Sequence, residues 1–163
     1  MRILSIPLLF LAYLANLPAN AAEMIVTNLS DIEFGDVSTG ITRAVQRMEF
    51  CVAMNPAGPY RLTANGASAN GKFVLQNPQS GAFRGVEIEL RARTGRGRGG
   101  GRGARGRQLL PGVATPGFRA RPLRRGQCRR PFTQITVTID KASLASAPQG
   151  RYSGRLFLTV SPE

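Results

Sequence analysis

Histidine and tryptophan are absent from this chain of 163 residues, and cysteine occurs only twice. Without histidine, neither a Ser-His-Asp nor a Cys-His catalytic site can be built, and metal sites with imidazole ligands are excluded. The nine acidic residues are scattered, apart from Glu87 and Glu89, which share one face of a predicted strand and are best interpreted as solvated. The sequence therefore predicts no catalytic residue, no metal, no cofactor and no small-molecule substrate, and we expect a protein that is not an enzyme.

Long apolar runs are also absent, except at the amino terminus. Met1 and Arg2 are followed by an almost wholly apolar stretch at 3–14 and by an A-x-A sequence that ends at Ala21. This pattern predicts a secretory signal peptide over 1–21, cleaved after Ala21. The alternative is a membrane anchor, but a membrane span needs roughly 18–20 apolar residues. We therefore expect an exported protein, in the periplasm and then at the cell surface or outside the cell, with one domain over 22–163.

The net charge of +13 belongs to one segment of the chain. Fourteen of the twenty arginines but only two acids lie between positions 84 and 130, whereas the rest of the expected mature chain has seven cations and seven acids. Within this segment, residues 94–107 are almost entirely arginine and glycine. Such a stretch cannot bury apolar surface to offset its ordering entropy, so we predict a flexible, disordered insertion.

Two interpretations of this Arg/Gly-rich insertion stay open. It is a solvated loop without a dedicated ligand, or it contacts polyanions such as lipopolysaccharide, extracellular DNA or acidic glycans. The predicted contacts in the second case are its five arginines: Arg96, Arg98, Arg102, Arg105 and Arg107.

Short segments with alternating apolar residues indicate the fold class. They are separated by Gly, Pro and Asn clusters at intervals of about 8–12 residues, which is typical of an all-β sandwich or barrel. The predicted strands are 23–29, 32–37, 49–54, 60–64, 73–75, 86–90, 135–139 and 152–160, and we expect no long helix. The last strand is expected to form a hairpin with 135–139, and its core face is predicted to consist of Tyr152, Leu156, Leu158 and Val160.

The two cysteines are Cys51 and Cys128, separated by 77 positions. In an exported protein, two cysteines most simply form one disulfide bond. A pair of free buried thiols is the alternative.

Three segments carry a resemblance to a known family. They are I-E-F-G at 32–35, Y-R-L-T-A-N-G at 60–66 and A-P-Q-G-R-Y-S-G-R-L-F-L-T-V at 147–160. In these segments the chain resembles the spore coat protein U-like group and the fimbrial subunits of archaic chaperone–usher systems. The resemblance implies an incomplete immunoglobulin-like antiparallel sandwich with one strand supplied by a partner. It also implies a structural subunit of a surface pilus, fimbria or coat, with roles in cell adhesion, assembled with a periplasmic chaperone, an outer-membrane usher and other pilus subunits.

In such a family, a subunit donates its N-terminal segment to a neighbour. The candidate donor residues in this chain are Met24, Ile25, Val26, Thr27 and Leu29. Only residues 22–29 precede Ile32, which is short for both a donor strand and a first strand of the domain. A terminal subunit, a stand-alone relative that does not polymerise, and an exported binding module that uses its Arg/Gly-rich insertion on polyanions therefore remain open.

Overall fold

A computed structural model describes residues 23–35, 43–79, 85–95, 106–128 and 132–163. The described residues form eleven β-strands and one short helix, so the predicted all-β class is confirmed. In chain order the elements are β1 Glu23–Thr27, β2 Arg43–Asn55, β3 Pro59–Gly66, β4 Val74–Leu75, β5 Val86–Glu87, β6 Glu89–Thr94, β7 Arg107–Leu109, β8 Thr115–Arg119, β9 Arg121–Pro122, β10 Thr133–Asp140, α1 Lys141–Ala145 and β11 Leu156–Pro162.

The larger of the two main sheets has the strand order β1-β2-β10-β6-β7. These neighbours are all antiparallel, and the short β9 lies parallel to the end of β2. The long strand β2 organises this sheet, because its first part pairs with β10 and its last part pairs with β1. Alternate residues of β2, including Met48, Phe50 and Val52, are buried on the inner face.

The smaller main sheet has the antiparallel order β11-β3-β8, and β4 and β5 form a separate pair. Tyr60, Leu62 and Ala64 on β3 are fully buried. They belong to one hydrophobic cluster with inner residues of the larger sheet such as Phe50 and Ile135. The core therefore lies between two antiparallel sheets, in a sandwich-like arrangement.

The expected hairpin between 135–139 and the last strand is wrong. β10 pairs with β2 and β6 in the larger sheet, whereas β11 pairs with β3 in the smaller one. The helix α1 begins directly at the end of β10, where the Asp140 side chain accepts a hydrogen bond from the Ser143 backbone N–H. This cap and helix turn the chain out of the larger sheet, and the connection then crosses to the other one.

Several strand boundaries also differ from the prediction: β1 ends at Thr27 rather than 29, β2 begins at Arg43 rather than 49, and the predicted strand 86–90 is divided between β5 and β6. β11 begins at Leu156 rather than Tyr152, because Ser153 forms a bridge with Gln76 and the Gly154 backbone lies close to Val74. Residues 31–35 form no strand, although Ile32 and Phe34 pack against the core; positions 36 and 37 lie outside the described residues.

The predicted disulfide between Cys51 and Cys128 is confirmed, with 6.0 Å between the two Cα atoms. Cys51 lies between Phe50 and Val52, so its side chain leaves β2 on the side away from the core. The bond fastens the turn at 124–127 to the outer side of the larger sheet. The predicted signal peptide at 1–21 and most of the Arg/Gly-rich insertion lie outside the described residues.

Candidate strand-binding groove

The strand β11 has one unpaired edge. Along its whole length it pairs with β3, from Leu156 opposite Gly66 to Pro162 opposite Tyr60. Among the described residues, no strand pairs with its other side. An open edge presents a row of backbone N–H and C=O groups, which is a template for pairing with another chain.

A groove of about 410 Å³ lies beside this edge. Both main sheets contribute to it: Met48, Leu90 and Val137 come from the larger sheet, and Leu156 and Leu158 come from β11. The full lining is mostly apolar and consists of Leu29, Ser30, Asp31, Ile32, Phe34, Met48, Phe73, Val74, Leu75, Ile88, Leu90, Val137, Gly154, Arg155, Leu156, Phe157 and Leu158. The groove is therefore an opening into the hydrophobic core rather than a polar surface cleft.

Burial drops abruptly from β3 to β11. Leu62 on β3 is 0% exposed, whereas its neighbours on β11, Leu158 and Val160, are only partly buried although they pack against the same core. Phe157, which points to the other face of β11, is 56% exposed. The apolar side chains of β11 are thus covered on one flank only.

The opposite wall of the groove is the segment at 28–35. Asn28 adopts a left-handed conformation with φ of 64°, which ends β1 and redirects the chain. Ile32 and Phe34 then pack partly buried against the core, and this segment is not part of any strand. The groove therefore lies between a segment that belongs to no strand and an unpaired strand edge.

The predicted donor residues lie next to this groove, within the same chain. Met24, Ile25, Val26 and Thr27 are on β1, where they pair with Met54, Ala53, Val52 and Cys51 of β2. Leu29 follows the strand and is 57% exposed at the groove wall. Donation by these residues stays a prediction, and it would require β1 to leave β2.

The predicted core residues of the last strand fall into two places. Leu156, Leu158 and Val160 face the main core, whereas Tyr152 precedes β11 and packs against a smaller cluster around Ile139. The Tyr152 hydroxyl donates a hydrogen bond of 2.7 Å to the Pro148 carbonyl, four residues earlier. Tyr152 therefore fixes the approach to the strand rather than filling the groove.

The core on the far side of β3 is closed. The Tyr60 and Thr133 hydroxyls are 2.6 Å apart and join the two sheets, and the Tyr60 ring stacks on Phe118 at 5.5 Å. Burial raises the pKa of Tyr60 to about 12, partly offset by the hydrogen bond to Thr133. The groove and this closed region are thus two parts of one core.

Sequence reasoning missed the floor of the groove. Met48 lines it, but the predicted strand 49–54 began one residue too late to include this side chain. The signal was present, because the alternation of Phe50 and Val52 continues backwards through Met48 to Ala44. The break at Ile88, between β5 and β6, and the pairing of β4 with β5 have no comparable signal in the sequence.

Of the predicted polyanion contacts, Arg96, Arg98, Arg102 and Arg105 lie outside the described residues. Arg107 is the first residue of β7. Its guanidinium donates a hydrogen bond of 2.6 Å to the Pro116 carbonyl and lies 5.9 Å from the Phe118 ring centroid. These contacts place Arg107 against the end of the core, so its interactions are at least partly structural.

In the described ranges, no group of three potential His, Cys, Asp or Glu ligands could hold a metal ion. Within the described part of the chain, no helix is long and apolar enough to cross a membrane. No protein-family model, curated protein or solved structure matches this chain. Any functional conclusion must therefore come from the groove itself.

Proposed function

We propose that this protein is a structural subunit of a bacterial surface pilus, fimbria or coat, and that its groove accepts a β-strand from a neighbouring subunit. The observation that carries the proposal is the unpaired edge of β11 beside an apolar groove that opens into the core. Export, and assembly with a periplasmic chaperone, an outer-membrane usher and other subunits, belong to the same proposal.

The strand order supports an immunoglobulin-like sandwich that lacks one strand. In the constant-type immunoglobulin fold, one sheet has the order A-B-E-D and the other has C-F-G. In the proposed assignment, β1, β2, β10 and β6 correspond to A, B, E and D, and β3 and β11 correspond to C and F, which agrees with the observed strand orders β1-β2-β10-β6 and β11-β3. The position of G, beside F, coincides with the unpaired edge of β11.

Tyr152 supports the same assignment. Immunoglobulin-like sandwiches often have a tyrosine near the start of strand F whose hydroxyl bonds the backbone a few residues upstream. Tyr152 precedes β11 by four positions, and its hydroxyl donates to the carbonyl of Pro148. This hydrogen bond supports the assignment of β11 to strand F.

An extended strand is the ligand that fits both the open backbone edge of β11 and the apolar space beside it. Its backbone would pair with the open edge of β11, and its alternate side chains would enter the apolar space beside Leu156 and Leu158. A helix or a small apolar ligand would fill the space but leave the edge unpaired. The proposed occupant is accordingly a segment with alternating apolar residues and no charge on its inward face.

The N-terminal segment of a second copy has this pattern. Met24 and Val26 present apolar side chains on one face, and β1 holds them only partly buried at the edge of its own sheet. A synthetic peptide of residues 22–30 is therefore the probe for the groove. We expect it to form a one-to-one complex with purified protein and to raise the unfolding temperature, since a ligand at 100 times its Kd stabilises by about 2.7 kcal/mol.

A scrambled peptide of the same composition is the matched control, and Leu158→Asp places a charge in the groove. We expect neither the scrambled peptide with the unaltered protein nor the 22–30 peptide with the variant to give a complex. Failure of the 22–30 peptide to bind at millimolar concentration, with the protein folded and monomeric, would overturn the proposal. Equal binding by the scrambled peptide would also overturn it, because pairing register would then be irrelevant.

A further inference from the structure

The outer side of the larger sheet carries a second feature, independent of the groove. Thr136 on β10 lies opposite Arg47 on β2 and, on its other flank, opposite Arg91 on β6. Arg93 is two residues along the same strand and shares the outward side with Arg91. We call Arg47, Arg91, Arg93 and Arg121 of the adjoining β9 the basic face.

Sheet geometry sets the spacing of these residues. Neighbouring strands are about 4.8 Å apart, so the backbones of Arg47 and Arg91 are roughly 10 Å apart across β10. Arg91 and Arg93 are separated by about 7 Å along β6. The strands therefore hold the arginines in a regular array, without reliance on loop conformation.

Neighbouring polar side chains orient two of these arginines. The Arg93 Nε donates to Gln134 at 2.8 Å, and the Gln134 amide donates in turn to Glu49 at 2.9 Å. The Arg91 Nε donates to Glu89 at 2.8 Å. Both bonds use Nε, which is one of five donors on a guanidinium. An arginine held in this way loses less conformational entropy when it binds an anion.

Arg121 is oriented by an aromatic ring. Its guanidinium lies 4.3 Å from the ring centroid of Phe132, which precedes β10. Gly95 lies against the same ring, because a Cβ at that position would be 3.6 Å from the Phe132 Cζ. The ring therefore serves to position Arg121 and is not an open platform.

Positive charge exceeds negative charge on this side. Over the described residues, its arginines include the exposed Arg47 and Arg121, and the disulfide to Cys51 brings Arg124 and Arg125 close to it. The carboxylates of the same side belong to Glu23 at the end of β1 and to Glu49, Glu89 and Asp140. Arg47 has no ion-pair partner among the residues that the structure describes.

We propose that the basic face binds an acidic polysaccharide. Guanidinium groups bind sulfate and carboxylate groups through paired, charge-assisted hydrogen bonds, and the array offers several along a flat sheet. Proteins that bind single-stranded nucleic acids without sequence preference add aromatic rings on which bases stack. Arg121 lies over the Phe132 ring and Gly95 lies against it. The face therefore offers cationic contacts without an open ring for base stacking, which favours a polysaccharide.

The test measures the affinity for a size-defined heparin fragment at 0.05–0.3 M salt (roughly the range over which charge contacts are screened). The double variant Arg47→Gln/Arg121→Gln removes two charges from the basic face. The matched control Arg61→Gln/Arg119→Gln removes two exposed charges from β3 and β8 of the other sheet. We expect affinity to fall about tenfold in the first variant, with a shallower salt dependence, and to change less than about twofold in the control.

Two further variants keep the test decisive. Arg47→Gln alone preserves the packing of Arg121 on Phe132 and should still weaken binding about threefold. The second variant replaces Arg96, Arg98, Arg102 and Arg105 by glutamine. In this background, the additional change Arg47→Gln should still lower the affinity for heparin. Equal losses in the face and control variants, or loss of all binding with the four loop arginines alone, would overturn the proposal. Tighter binding to single-stranded DNA than to heparin of equal charge would do the same and would indicate a nucleic-acid ligand.

Discussion

The two flanks of β3 differ in how completely they bury the core. On the flank of β8, Tyr60 stacks on Phe118 and contacts Thr133 across the sheets, and all three residues are buried. On the flank of β11, Leu158 and Val160 meet the same core but remain partly exposed, and a groove of about 410 Å³ separates β11 from residues 28–35. The sandwich is closed on one flank and open on the other.

This difference indicates that the unpaired edge of β11 is where contacts with another chain would form. Apolar residues that alternate along an edge strand are unfavourable when exposed, because an unpaired apolar edge promotes association with other chains. Ordinary sheets protect such edges with charges or bulges, whereas β11 has Leu156, Leu158 and Val160 facing the core and no described strand beyond them. The open flank is therefore interpreted as a site for another strand.

The largest effect is expected from the disulfide that fastens the turn at 124–127 outside β2. Replacing Cys51 and Cys128 by alanine should lower the free energy of unfolding by about 4–5 kcal/mol according to the chain-entropy model for a 77-residue loop. Urea unfolding of the two forms measures this difference. A loss below about 1 kcal/mol would mean that packing, and not the disulfide, holds the turn at 124–127 against β2.

A matched pair of truncations compares the flanks directly. Leu62→Ala on β3 should cost about 2–5 kcal/mol because the side chain is fully buried. Leu158→Ala on β11 removes the same atoms from a partly exposed position and should cost less than half as much. Denaturant unfolding of both variants checks this, and equal costs would contradict the open flank. With the 22–30 peptide bound, the cost of Leu158→Ala should rise.

Loss of the hydrogen bond between Tyr60 and Thr133 on the closed flank should have a smaller effect on stability. Thr133→Val removes the hydroxyl 2.6 Å from that of Tyr60 and leaves a buried hydroxyl without this partner, at a cost of about 1–3 kcal/mol. The control Thr136→Val changes a threonine on the outer side of the same strand and should cost less than about 0.5 kcal/mol. Similar unfolding midpoints for the two variants would argue against a closed flank.

Alkaline pH should weaken the closed flank through Tyr60. The folded-state pKa of about 12 lies above the ordinary value of 10, so the neutral form is favoured in the folded protein. The associated stability is complete below pH 10 and is lost as the pH rises towards 12, amounting to about 1 kcal/mol by pH 11. Thermal unfolding between pH 8 and 11 measures this loss. The stability of the Tyr60→Phe variant should depend less on pH. Identical pH profiles for the two proteins would contradict a role of Tyr60 in this loss.

The alternating patterns predicted much of the fold. The periods of two in 60–64 and 135–139 correspond to β3 and β10, and the two cysteines form the predicted bond. Such patterns report local burial and therefore do not state which strand pairs with which. The final strand was expected beside 135–139 because the two are consecutive, yet it pairs with β3 after a crossover through α1.

The groove was predictable only in part. The pattern of Leu156, Leu158 and Val160 indicated a core-facing strand, and the family resemblance implied a missing neighbour. Its floor depends on distant segments, such as Met48 and Ile88, that meet only in the folded chain. The basic face was missed for a related reason: Arg47 and Arg91 are far apart in sequence, and the pairing of β2, β10 and β6 brings them to one side.

Hydrogen exchange at the β11 backbone tests the central claim most directly. In an edge strand of an antiparallel sheet, alternate N–H groups bond the neighbouring strand and the others point away from it. We predict that the amides of β11 directed towards β3 are protected in the protein alone, and that the remaining ones become protected only with the 22–30 peptide bound. Protection of both sets without a peptide, or no gain with saturating peptide, would contradict an open edge that accepts a strand.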